Sequence, residues 1–157
     1  MKATTDLLAL ACLAGVVSCA GNGTTPTDQG DVAGKVRQKF TAFDQHDAAT
    51  IQDIYGVDAL LHSPDYPGLK GNGPIADTYR RLFAAIPDAK DEVQSLDVIG
   101  DKAYVQFVLT GHWGGAPDKT VHVRIMSIYT VKAGHIVDDM TYYDRKPPEP
   151  APAKPSI

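Results

Sequence analysis

Two hydrophobic periods divide the chain. Val32, Val36, Phe40 and Phe43 recur at helical spacing, which predicts a helix with one buried stripe. Asp31 is placed to cap its start and the helix is expected to stop near His46. Asp47 is placed to cap a short second helix through Ile51 and Ile54. Val57 to His62 reads as a first strand, and the Pro- and Gly-dense run from Ser63 to Gly73 as a loop. A third helix is expected from Pro74, with an apolar face of Ile75, Tyr79, Leu82, Phe83 and Ile86, ended by Pro87.

After Pro87 the spacing changes to that of strands. Glu92 to Ile99, Lys102 to Trp113, and the two arms of Val121 to Arg145 are rich in Val, Ile, Thr and Tyr. Gly100-Asp101 and Lys132-Ala133-Gly134 mark reversals. Helices followed by a strand meander predict an α+β fold, with helices packed on one face of an antiparallel sheet.

Composition changes this picture little. The chain has 157 residues, 43% hydrophobic and 22% charged, and a net charge of -4, which suits a globular domain. The negative balance and the lack of a Lys/Arg cluster argue against a nucleic-acid partner.

The ends stand apart from the domain. Leu7 to Val17 is an apolar run too short to span a bilayer comfortably, and it leads into Val16-Val17-Ser18-Cys19. This resembles the signal peptide and lipobox of bacterial lipoproteins, which implies lipidation at Cys19. It also implies export and anchoring at the cell envelope, on the periplasmic side of the outer membrane, since Ala20 rather than Asp follows the Cys. The expected organisation is a signal peptide over 1–18, a flexible tether over 19–30, the domain over 31–145 and a Pro-rich tail over 146–157. Cys12 leaves with the signal, so no thiol is left for a disulfide or a Cys-ligated metal.

The domain resembles the SnoaL-like polyketide cyclase branch of the NTF2-like superfamily. The words that carry the likeness are His62-Ser63-Pro64 with Pro67-Gly68, Tyr79 through Ala85 with Pro87-Asp88, and Val98-Ile99-Gly100-Asp101-Lys102. Leu109-Thr110-Gly111-His112 and Gly134-His135-Ile136-Val137-Asp138-Asp139 complete it. The resemblance implies a strongly curved sheet around a cone-shaped pocket, with the helices, the third among them, on its concave face, and an acidic residue on the last strand acting as a base beside a carbonyl. Met140 stands where relatives often carry Trp. The resemblance also implies a homodimer, paired through the outer face of the sheet.

Neighbouring strand residues face opposite sides, so one of Asp138 and Asp139 looks inward. Asp139, in phase with Val137, Thr141 and Tyr143, is the candidate base. Asp138 turns inward if the phase is opposite. A carboxylate in an apolar pocket has a raised pKa and becomes a competent base. His122 is its candidate assistant, on one strand face with Arg124. These two stand at the pocket rim or in a salt bridge on the outer face. His62, Tyr66, His112, Arg124, Thr141 and Tyr143 complete the candidate pocket set. No zinc spacing, phosphate-binding Gly loop or nucleophile elbow is present in the sequence. The expectation is therefore a cofactor-free, metal-free acid/base catalyst on a small carbonyl compound. The alternatives are a module that only binds a small apolar molecule, or a dimeric interaction domain.

Overall fold

A computed structural model describes residues 26–143. The expected signal peptide, Cys19 and the Pro-rich tail lie outside these residues, as does most of the expected tether.

Helix α1 runs Pro26–Asp44 and α2 Ala48–Ile54. Strand β1, Tyr55–His62, and the two-residue β2, Leu69–Lys70, come next. Helix α3, Asn72–Ala85, precedes β3, Lys90–Ile99, and β4, Lys102–His112. A 3-10 turn over Trp113–Gly115 leads to β5, Thr120–Lys132, and β6, His135–Tyr143. Helix α1 begins earlier than the apolar stripe implies, so Asp31 lies inside it and caps nothing. Asp47 does cap α2: its Oδ1 accepts from the backbone N–H of Ala49 at 3.1 Å and of Thr50 at 2.9 Å. Pro74 falls within the first turn of α3, where its missing N–H still breaks no intrahelical bond.

The six strands form one sheet in the order β2-β1-β6-β5-β4-β3. Strands β3 to β6 make the expected antiparallel meander. The expectation of a wholly antiparallel sheet is corrected at one place: β1 runs parallel to β6. The meander leaves β6 with an open edge, and β1 closes it. Pairing shifts register between Val93 and Ser95, between Thr130 and Val131, and between Tyr55 and Leu60. Such bulges bend strands and curve the sheet.

All three helices contribute to the cover. Val36, Phe40 and Phe43 of α1 are buried, and the Phe40 ring meets Phe107 of β4 edge-on at 5.0 Å. Helix α3 buries Ile75 and Ala76 and presents Tyr79 and Leu82 to the concave face, as expected. The turn after α3, residues 86–89, rests on β4 at Gly111, whose φ is +146°. A Cβ there would lie 2.5 Å from Cγ2 of Ile86 and 3.3 Å from Cα of Ala89. Only glycine permits both the dihedral and the approach.

Candidate functional site

Between the helices and the concave face lies a cavity of about 510 Å³, within the usual size for a small-molecule site. Its walls are mainly apolar, with Leu82 and Ile86 on the α3 side and Phe107, Leu109, Val121 and Ile125 on the sheet. Trp113, Asp65 and Arg81 mark its exposed mouth. The buried polar residues bordering it are Lys39, Asp91 and Tyr129, with Tyr79 and Thr141 partly buried beside them.

Asp139 lies behind Thr141 and Tyr129, with 1% of its surface exposed. It points inward because of a bulge. Ile136 pairs with Val131 and Asp139 with Tyr129, so Val137 and Asp138 together occupy one step of β6. Both Ile136 and Asp139 therefore face the interior, and Asp138 turns out. The Tyr55 hydroxyl donates to Asp139 Oδ2 at 2.6 Å and the Thr141 hydroxyl to Oδ1 at 2.8 Å. Ser127 Oγ is 2.6 Å from Thr141 Oγ1, and since Thr141 donates to the carboxylate, Ser127 donates to Thr141. The Tyr55 and Tyr79 hydroxyls meet at 3.2 Å. Burial pushes the Asp139 carboxyl above its ordinary pKa, against the two hydroxyl donors and the charge of Lys39, which favour the anion.

Lys39 of α1 forms the second polar centre. Its Nζ is 3.3 Å from Asp91 Oδ2 of β3, and the two side chains are 2% and 3% exposed. Five aromatic rings surround the ammonium, with centroids at 4.2 Å for Phe40, 5.1 Å for Phe43, 5.4 Å for Tyr79 and Phe107, and 5.8 Å for Tyr129. These are cation–π distances. Burial pulls the Lys39 pKa down, but Tyr129, Tyr79, Asp91 and Asp139 pull it up further, above the ordinary value. Burial also lifts both phenols above their ordinary range, so at neutral pH they carry no charge and the carboxylate bonded to the ammonium is that of Asp91. Asp91 is itself pushed up to about 6 by burial, against the pull of Lys39. Neither Lys39 nor Asp91 stood among the expected site residues. Lys39 was detectable, since it shares a helix face with Val32, Val36 and Phe43.

The candidates from sequence separate into groups. Thr141, Tyr66 and Tyr143 line the cavity, and Asp139 stands behind the wall, bonded to Thr141. The Tyr143 hydroxyl donates to Asp65 near the mouth. His122 and Arg124 are exposed on the convex face, because Val121, Val123 and Ile125 take the concave phase of β5. The strict alternation of β5 thus corrects the placement of His122 beside Asp139 and of Arg124 at the pocket. His62 also faces away from the cavity. Its Nδ1 donates to Pro67 O at 2.9 Å, and its Nε2 lies 3.9 Å from Asp138 beside a separate hollow of about 390 Å³. His112 is bound to the loop after α3. Its Nδ1 donates to Asp88 Oδ2 at 2.6 Å and its backbone N–H to Oδ1 at 2.8 Å. Tyr55 was missed because it stands at the very start of β1, two residues ahead of the expected strand.

The model of the SnoaL-like domain family matches residues 36–139, the stretch that carries the helical cover, the cavity and Asp139. The chain belongs to the SnoaL-like domain family. No curated protein matches. Among solved structures, a candidate SnoaL-like polyketide cyclase from Jannaschia sp. CCS1 is 18% identical, with a TM-score of 0.67. That match covers 79% of this chain and 92% of that one. An LEH-like epoxide hydrolase of M. tuberculosis is 15% identical, with a TM-score of 0.65 and coverage of 74% and 85%. A protein of ketosteroid isomerase-like fold from Catenulispora acidiphila, in complex with trimethylamine, is 19% identical. Its TM-score is 0.65 and its coverage 71% and 85%. At these identities the likeness is one of fold, and the SnoaL-like scaffold serves several chemistries.

Proposed function

We propose that this SnoaL-like domain holds a small, mainly apolar carbonyl compound in the cone and acts on it by acid/base chemistry, with Asp139 as the base. The reaction class is proton removal beside the carbonyl, followed by proton return or carbon–carbon bond formation, as in an isomerisation or an aldol-type cyclisation. The observation that carries this reading is a buried carboxylate directly behind Thr141 of the mainly apolar cavity wall, its pKa lifted by burial. Thr141 stands between Oδ1 and the cavity. Rotation of its side chain opens that oxygen to a substrate C–H. The proton then moves from carbon to Oδ1, and the electron pair passes into the enolate.

One observation favours a second reading, binding without turnover. Both Asp139 oxygens already accept hydroxyl hydrogen bonds and the residue is 1% exposed. Asp139→Asn separates the two. Under the catalytic reading the variant loses turnover by about a hundredfold or more while ligand affinity changes little, because the loss falls on the transition state. An Asn variant that keeps its turnover removes Asp139 as the base. A wild-type protein that binds but never converts its ligand leaves the binding reading in place.

We also propose a homodimer through the convex face of the sheet. Met126 and Ile128 are half-buried there, and Met140 and Tyr142 are 36% and 51% exposed. They form a continuous apolar strip across β5 and β6, next to Arg124 and His122. A second copy covers such a strip. Light scattering at micromolar concentration is expected to give twice the chain mass, and Met126→Glu to halve it. A wild-type monomer under those conditions refutes the dimer.

A further inference from the structure

The ammonium of Lys39 has three N–H donors. Asp91 Oδ2 takes one at 3.3 Å, and no other acceptor among the described residues hydrogen-bonds to Nζ. Around the ammonium stand the rings of Phe40, Tyr79 and Tyr129, at 4.2, 5.4 and 5.8 Å, and the cavity that Lys39 borders. Ring faces attract the charge but leave N–H groups without an oxygen partner. A buried cation in this state gains most from an acceptor that is itself charged, since charge-assisted bonds are about twice as strong as neutral ones. The cavity walls beyond it are mainly apolar, with Asp65 and Arg81 at the exposed mouth.

We infer that Lys39 is the oxyanion receptor of the cavity, and that the ligand is an apolar body ending in an anionic oxygen, a carboxylate or the enolate of a carbonyl. This rests on the small-molecule reading of the cavity. It adds to it a residue that touches the ligand and a sign for the ligand's charge.

The arrangement also predicts competition within the protein. Asp91 and the ligand anion share one ammonium. The other groups facing the pair are Tyr79 from α3, Tyr129 from β5, Asp139 from β6 and, near Asp91, Asp44 from α1. The two tyrosines stay neutral, and Asp139 is pushed in the same direction as Asp91 by the same burial. Protonation of Asp91, centred at about 6, frees the ammonium for the ligand. Anion affinity therefore rises as pH falls through that value, while the affinity of a neutral ligand of the same shape does not.

The test uses the full chain and three probes on one skeleton: 2-naphthoate, 2-acetylnaphthalene and 2-naphthylmethylamine, titrated by calorimetry at pH 5.5 and 7.5. The naphthoate is expected to bind about tenfold tighter than the ketone at pH 5.5, with the amine weakest, and its advantage to shrink at pH 7.5. Lys39→Met should erase the naphthoate preference and leave ketone affinity within about threefold. Because Lys39→Met strips Asp91 of its counter-ion and loses stability, Asp91→Asn carries the test independently. It should bring naphthoate affinity at pH 7.5 up to the wild-type value at pH 5.5 and abolish the pH dependence. Equal naphthoate and ketone affinities in the wild type, or a naphthoate preference that survives Lys39→Met, overturn the role of Lys39 while the cavity still binds. If none of the three probes binds, the small-molecule reading of the cavity falls, and the receptor role falls with it.

Discussion

Lys39→Met is expected to destabilise the domain by about 3–5 kcal/mol at pH 7.5, the cost of leaving one partner of a buried ion pair uncompensated. Asp91 would then stand 7% exposed without its cation. At pH 5 the same substitution should cost less, because Asp91, whose pKa is pushed up to about 6, is largely neutral there. The double variant Lys39→Met/Asp91→Leu should recover most of the loss, since apolar residues of similar volume often replace a buried pair at no net cost. The wild type carries its own pH slope from this pair. The folded state holds the Asp91 proton more tightly than the unfolded chain, whose carboxyl titrates near 3.8. The stabilisation is full below that value and is lost as pH rises from about 4 to about 6, a change of about 3 kcal/mol. Asp91→Asn should lack this slope. Urea titrations of the four proteins at pH 4, 5 and 7.5 measure all of it. A Lys39→Met variant within about 1 kcal/mol of wild type at pH 7.5 would refute the account of the pair.

Gly111→Ala is expected to cost a further large amount, about 2–4 kcal/mol, from overpacking and strained backbone together. The new methyl meets Ile86 at 2.5 Å, and Ile86 is 2% exposed, so its side chain has nowhere to move. The Ala89 backbone at 3.3 Å and Asp88 Oδ1 at 3.1 Å close the other sides. Relief requires the turn after α3 to lift from β4, which also strains the Asp88–His112 bonds and widens the cavity at Ile86. Gly114→Ala is the control. Its φ is +59°, yet a Cβ there meets no atom within 4 Å, so only the left-handed backbone matters, about 1–2 kcal/mol. Thermal unfolding of the two variants should rank them clearly. Equal losses would show that the turn after α3 does not press on Gly111.

The fold was legible in the sequence because its signals are long. The stripe of α1, the face of α3 and the four alternating strands each repeat their period many times, and the words around His62, Gly100 and Asp138 carry the family. The site was less legible because its residues sit where periods break. Tyr55 opens β1 and Asp91 stands second in β3, at strand ends that pattern reading places least well. Asp138 and Asp139 are adjacent, and simple alternation from the buried Ile136 would have turned Asp138 inward. The bulge at Val137 and Asp138 resets the phase, and only the pairing with β5 reveals it. His122 and Arg124 drew notice as polar residues in an apolar strand, but alternation there is unbroken and sends both outward. A lysine on an apolar stripe usually extends to solvent, so the pattern alone does not place Lys39 inside. Here Asp91 and five rings hold it inside.

The parallel pairing of β1 with β6 has a consequence for how the chain is made. Tyr55 and Asp139 are 84 residues apart, and the strands that carry them touch only when the last strand is in place. During synthesis the helices and the β3–β4 hairpin emerge first and can form locally. The polar centre cannot. A nascent chain that has not yet released β6 has a cavity wall without Thr141 and Tyr143, a free edge on β1 and β5, and Tyr55 without its acceptor. Such distant contacts close slowly, so folding of this domain is expected to be gated by its C-terminal strand. The centre that we assign to chemistry is then among the last parts of the molecule to exist.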